Sequence, residues 1–220
     1  MPQTTTHKLT KTGVITTVIL ALMVLGPGVQ AKSQRHAHGI NKIMGSITVH
    51  EGEQMGDLSS INGSIYLKSN ATVDDAETVN GSIKIEDNVT MGSATTVNGS
   101  ILAGTNLQVD GDVRTVNGEI RLASGTSVGQ AETVNGSIDL DMTQVGSSVS
   151  TVNGNITLDN NSKVLGDIVF EENQSRFSRS RPRLTIDSTS SVSGTIHLYQ
   201  EVILNISDSA SVGEIIHHYK

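Results

Sequence analysis

One phrase returns along this chain at a nearly fixed interval, and that interval limits what the chain can become. Thr-Val-Asn-Gly-Ser-Ile-x-Leu reads cleanest at 133–140 and recurs at 78–85, 96–103, 115–122 and 151–158, with a looser copy at 60–67. Its asparagines, Asn62, Asn80, Asn98, Asn117, Asn135 and Asn153, lie 18 or 19 residues apart. The glycines that follow, Gly63, Gly81, Gly99, Gly118, Gly136 and Gly154, are joined by Gly45 in an earlier copy, giving seven repeats. A unit this short cannot bury its own apolar stripe, so neighbours must stack.

Within the phrase the pattern is that of a strand. Ile83 and Ile85 alternate with Ser82 and Lys84, and a period of two puts both isoleucines on one face. The column between them, Tyr66, Lys84, Leu102, Arg121, Asp139 and Thr157, changes chemistry freely, as a solvated column does. A second set keeps the same step: Met55, Val73, Met91, Val109, Val128 and Val145, then Leu58, Ala76, Ala94, Asp112 or Val113, Ala131 and Val149. Eighteen residues at ~3.3 Å each give a contour of roughly 60 Å. That length closes as a flattened loop stacked ~4.8 Å above the last. The expected fold is therefore all-β: a single-stranded parallel β-solenoid of about 18 residues per coil, with a diverged C-terminal cap. Antiparallel hairpins turning at Asn-Gly are the competing arrangement. Identical residues at identical phase favour the parallel coil. In that coil the Asn-Gly pairs are expected to take φ > 0 at a corner, and the asparagines to hydrogen-bond along the axis.

The rest of the chain divides around these repeats. Residues 1–31 read as a secretory signal peptide: Lys8 and Lys11, an apolar run from Val14 to Leu25, a Gly-Pro-Gly break and Val29-Gln30-Ala31. The run is too short to span a bilayer, so no stable membrane insertion is expected after cleavage. Residues 32–42 are a polar segment, 43–170 the solenoid, 171–183 a basic polar insertion, and 184–220 terminal coils and cap. After Leu158 the register reads as slipping, with Val164 to Phe170 a degenerate half-repeat and Ser191 to Leu198 a diverged phrase.

Candidate sites are few. There is no cysteine, and loss of the two leader lysines would take the net charge from −7 to −9, which argues against nucleic acid as a partner. Asp139 and Asp141 share one face of a strand, and paired carboxylates hydrolyse sugars, but coils without long loops build no cleft. His36 and His38, and His217 with His218, are metal-capable pairs without a third ligand at a recognisable spacing, so no metal or cofactor is expected. The threonine column Thr78, Thr96, Thr115, Thr133 and Thr151 has the look of an ice-binding row, without the paired second row. Arg176, Arg179, Arg181 and Arg183 make the insertion a candidate interaction loop for an anionic polymer.

The Val-Asn-Gly-Ser-Ile phrase over residues 43–158 resembles bacterial exported β-strand-repeat proteins of the adhesin type, and Pro182 to Gly213 resembles their closing segment. The phrase is also similar to bactofilins, polymer-forming β-helical proteins that lack an export signal. The resemblance implies an exported, non-enzymatic structural or adhesive protein of a Gram-negative envelope, periplasmic or secreted. It would self-associate or bind an envelope or surface polymer. The alternatives are a self-polymerising scaffold and, with least support, a polysaccharide-active enzyme.

Overall fold

Three short wall segments per coil organise the described part of the chain, residues 38–173 and 181–219 of a computed structural model. The expected signal peptide, the start of the polar segment, Arg176 and Arg179 lie outside the described residues. A phrase wall is formed by Ile47–Val49, Ile65–Leu67, Ile83–Ile85, Ile101–Ala103 and their successors, nine parallel strands ending at Ile203–Ile206. A long wall starts at Ile40–Met44 and Leu58–Asn62 and runs to Ile215–His217. A short wall of mostly two-residue strands starts at Gln54–Met55 and ends at Ser191–Val192 and Ser211–Val212. Long and short walls together make one sheet of 17 strands, in which Thr72–Asn80 and Thr90–Asn98 run unbroken through both. The parallel β-solenoid is thus the fold.

Register follows the sequence columns. Ile65 pairs with Ile83, Ile83 with Ile101, Ile120 with Ile138 and Ile138 with Ile156. In the coil from 71 to 85, Ala71, Val73, Ala76, Thr78, Ile83 and Ile85 all point inward and are buried. The core is a stack of such layers, aliphatic almost throughout, with Phe170 its largest fully buried side chain. Small β-branched side chains suffice because each layer is covered above and below by an identical one.

Glycine holds its column for a reason other than the one expected. Among the phrase glycines only Gly45 has a positive φ, +98°. A Cβ on Gly63, Gly81, Gly99, Gly118, Gly136 or Gly154 would instead lie inside the carbonyl of the glycine one coil earlier. Close backbone approach fixes these residues. The left-handed backbone sits at a different corner, between phrase wall and short wall. Gly52, Asn70, Asn88, Asn106, Gly125, Met142 and Asn160 occupy it in successive coils with φ between 46° and 79°. Asn and Gly tolerate that region and Met142 does not suit it, so the sixth of these corners carries strain.

Past Leu158 the register does not slip. Val164 pairs with Val145 before it and Val192 after it, and Ile168–Phe170 pairs with Val149–Thr151. One coil is simply longer: Ile156 pairs with Leu184, 28 residues on, because the insertion at 171–183 enters at the Asn-Gly corner. The phrase-like Gly194-Thr195-Ile196-His197-Leu198 belongs to another wall. Ile196 pairs with Ile168 on the long wall, while the phrase wall is continued by Arg183–Ile186. The terminal coils keep all three walls. Leu204, Ile206, Val212 and Ile215 are half-buried, whereas Leu184, Ile186, Val192 and Ile196, one coil earlier, are buried.

Candidate functional site

The Asn-Gly corner is a continuous hydrogen-bonded edge. Asn80 Nδ2 donates to Asn62 Oδ1 at 3.0 Å, and Asn98, Asn117, Asn135 and Asn153 each donate to the asparagine before it at 2.9 Å. Asn173 adds one more rung by donating to Asn153. Beside them runs a serine ladder, in which the amides of Ser82 and Ser100 donate to Ser64 Oγ and Ser82 Oγ at 3.1 Å. Both ladders satisfy polar groups along the axis and hold each coil over the next, so they build the wall and offer little to a ligand.

The threonine column faces the core, not the solvent an ice-binding row would need. Thr78, Thr96, Thr115, Thr133 and Thr151 are all buried. Thr78, Thr96 and Thr115 donate to the carbonyls of Gly63, Gly81 and Gly99 at 2.8 Å, and Thr133 to that of Gly118 at 3.1 Å. This row is therefore not available to order ice. The Thr151 hydroxyl is buried without a partner. Removing a buried donor's hydrogen bond costs about 1–2 kcal/mol, while removing an unpaired hydroxyl costs nothing. Thr115→Val is therefore expected to lose about that much, and Thr151→Val to be neutral or stabilising. Melting of the two variants beside the parent checks the difference.

The charged candidates are spread over the outer faces. Asp139 lies 4.0 Å from Arg121, and Asp141 accepts from Asn160 Nδ2 at 2.7 Å. Burial, then the neighbouring Asp187, Asp141 and Asp139, raises the Asp159 carboxyl above its usual range. Burial also pushes Asp187 up, but hydrogen bonds from Ser190, Asn160 and Thr189 outweigh it and hold the group well below normal. On the long wall Arg114 bridges Asp112 at 2.7 Å and, in the next coil of the same column, Glu132 at 3.1 Å. Glu132 is nonetheless raised, because its burial exceeds the pull of Arg114. Arg181 pairs with Glu201 at 2.8 Å, and the Arg183 amide donates to Asn155 Oδ1 at 3.0 Å as its strand begins. Arg181 is thus tied to a terminal coil and Arg183 to the last regular phrase.

A cluster of imidazoles and a phenol stands on the outer long wall near its end. His197 is in register with Ile216, so Tyr199 lies opposite His218. The Tyr199 and His218 rings stack at 4.2 Å, inclined by 9°. His197 Nδ1 and His218 Nε2 are 3.1 Å apart, and Asp167 Oδ2 is 3.9 Å from His197 Nε2. His217, the sequence neighbour of His218, instead meets the Tyr219 hydroxyl at 3.0 Å. Spacing had grouped His217 with His218, yet adjacent residues of an extended strand point to opposite faces. The signal for the true pair was register: once Leu184, not Ile196, continues the phrase wall, His197 falls beside 216–218. Among the described residues no group of three or more His, Cys, Asp and Glu side chains converges as a metal site. No family model matches this chain, and neither a curated protein nor a solved structure matches it.

Proposed function

We propose that this chain is an exported, non-enzymatic structural or adhesive solenoid of a bacterial envelope, which engages another copy of itself or a surface polymer through its C-terminal coils and basic insertion. The observation that carries this reading is the contrast between the walls and the last coil. Along the walls every described coil except the one that carries the insertion is short-cornered, and its core is filled by its neighbours. At the last coil Leu204, Ile206, Val212 and Ile215 are half-buried, and Ile203–Ile206 and Ile215–His217 have a strand on one side only among the described residues. Open parallel edges beside apolar side chains are a template for further pairing. Arg181 and Glu201 flank that end with both signs of charge. The same edge favours a second reading, a scaffold that polymerises end to end.

Light scattering and electron microscopy of the purified protein, with a pull-down on cell-wall and surface glycans, test both. Oligomers or glycan binding that Ile206→Lys abolishes support the first reading, and long filaments support the second. A monodisperse monomer without glycan affinity overturns both.

A further inference from the structure

The geometry points to a transition-metal site on the outer long wall, with His197 Nδ1 and His218 Nε2 as the two protein ligands and copper(II) or zinc(II) as the ion. We infer it from the juxtaposition of these imidazoles with a carboxylate behind and an aromatic ring beneath. The two nitrogens are 3.1 Å apart. Metal–imidazole bonds of about 2.0–2.1 Å span about 3.4 Å at a tetrahedral angle and about 2.9 Å at a right angle. The observed separation, which is a hydrogen bond between the two rings, lies between these, so an ion is taken up when the shared proton leaves and both rings turn their lone pairs toward it.

The surroundings suit a bound cation. Ligating histidines usually present their other ring nitrogen to a carboxylate, which fixes the ring and raises its basicity. Asp167 stands on that side of His197, 3.9 Å from Nε2. Tyr199 stacked on His218 at 4.2 Å restricts that ring. The strands place these groups rigidly: the His218 amide donates to the Leu198 carbonyl at 2.8 Å, which extends the ladder past the end of the strand. Two imidazoles hold an ion more weakly than a closed four-ligand site, and the outward-facing positions are left for water or for a side chain of a docked partner.

Tyrosine fluorescence reads this site directly, because the chain has no tryptophan and only three tyrosines. Titration of the purified chain with copper(II) is expected to quench Tyr199 saturably in the micromolar range, at about one ion per chain. His197→Ala and His218→Gln should each weaken binding at least about tenfold, and Asp167→Asn by a smaller factor. Tyr199→Phe should remove most of the quenching while calorimetry still reports the ion bound. His36→Ala/His38→Ala should leave the titration unchanged. Unaltered melting in the absence of metal would establish that the His197 and His218 variants are folded. Folded His197 and His218 variants whose curves superimpose on the parent's would overturn the assignment, as would quenching that never saturates.

Discussion

Gly118→Ala is expected to be among the most damaging single-methyl additions available in this chain. The methyl would enter the carbonyl group of Gly99, which is main chain and cannot rotate away. Gly99 itself rests on Gly81, and Gly136 rests on Gly118, so no coil can yield without moving its neighbours. Overpacking of this kind costs about 3 kcal/mol or more, which for a domain of this size lowers the melting temperature by roughly 6–12 °C. The buried Thr133 hydroxyl, which donates to the Gly118 carbonyl at 3.1 Å, would be disturbed as well. Gly52→Ala is the control. Its φ is +69° and nothing lies within 4 Å of an added Cβ, so only the left-handed backbone is penalised, by about 1 kcal/mol. If backbone conformation alone set the cost of an added methyl, the order would reverse, and Gly118→Ala, whose φ is not positive, would be the mild variant. Thermal melting of both variants beside the parent decides between contact and conformation.

Period and phase made the walls legible before any coordinate was known. Ile-x-Ile at constant spacing identifies the inward columns because side chains alternate along a strand, and Ile65, Ile83, Ile120 and Ile138 stack as that pattern requires. Arg114 and Glu132 meet for the same reason. What the period does not encode is the direction of a corner. Asn-Gly is a common turn signal, yet the turn that needs a left-handed residue is made by Asn70, Asn88 and Asn106, which stand before less regular sequence. Nor does local alternation reach across a corner. The threonines have the look of an ice-binding row although, two residues beyond an inward Ala76 or Ala94, they share the inward face. The insertion misled for a third reason. A loop of ten extra residues changes sequence spacing without changing the stack, since lengthening a surface loop adds only a small entropic cost. Judged by spacing alone, Gly194 to Leu198 then looked like the phrase, and the His197–His218 pair went unseen.

Phe170→Ala is expected to uncouple the terminal coils from the rest of the solenoid. Phe170 stands in the threonine column, in register with Thr151 before it and Leu198 after it. The column changes chemistry there for a local reason. Thr78, Thr96, Thr115 and Thr133 each bond the carbonyl of a phrase glycine, but the corner after Phe170 opens into the insertion and the glycine stack ends at Gly154. The hydroxyl of Thr151 is already without a partner, so the next layer is closed by apolar volume instead. Phe170 is fully buried, and truncating a buried phenylalanine to alanine costs about 3–5 kcal/mol. In a stacked array that loss falls on the interfaces with the two adjacent coils and is not shared along the axis. Hydrogen exchange should therefore show residues 183–217 losing protection in the variant while 65–140 keep theirs, because opening follows the weakest interface. Phe170→Leu restores most of the volume and should cost about 1 kcal/mol, with protection near the parent's. Equal loss of protection at both ends in Phe170→Ala would mean that the solenoid opens as one unit, and that Phe170 is an ordinary core residue rather than the junction between its regular coils and its terminal ones.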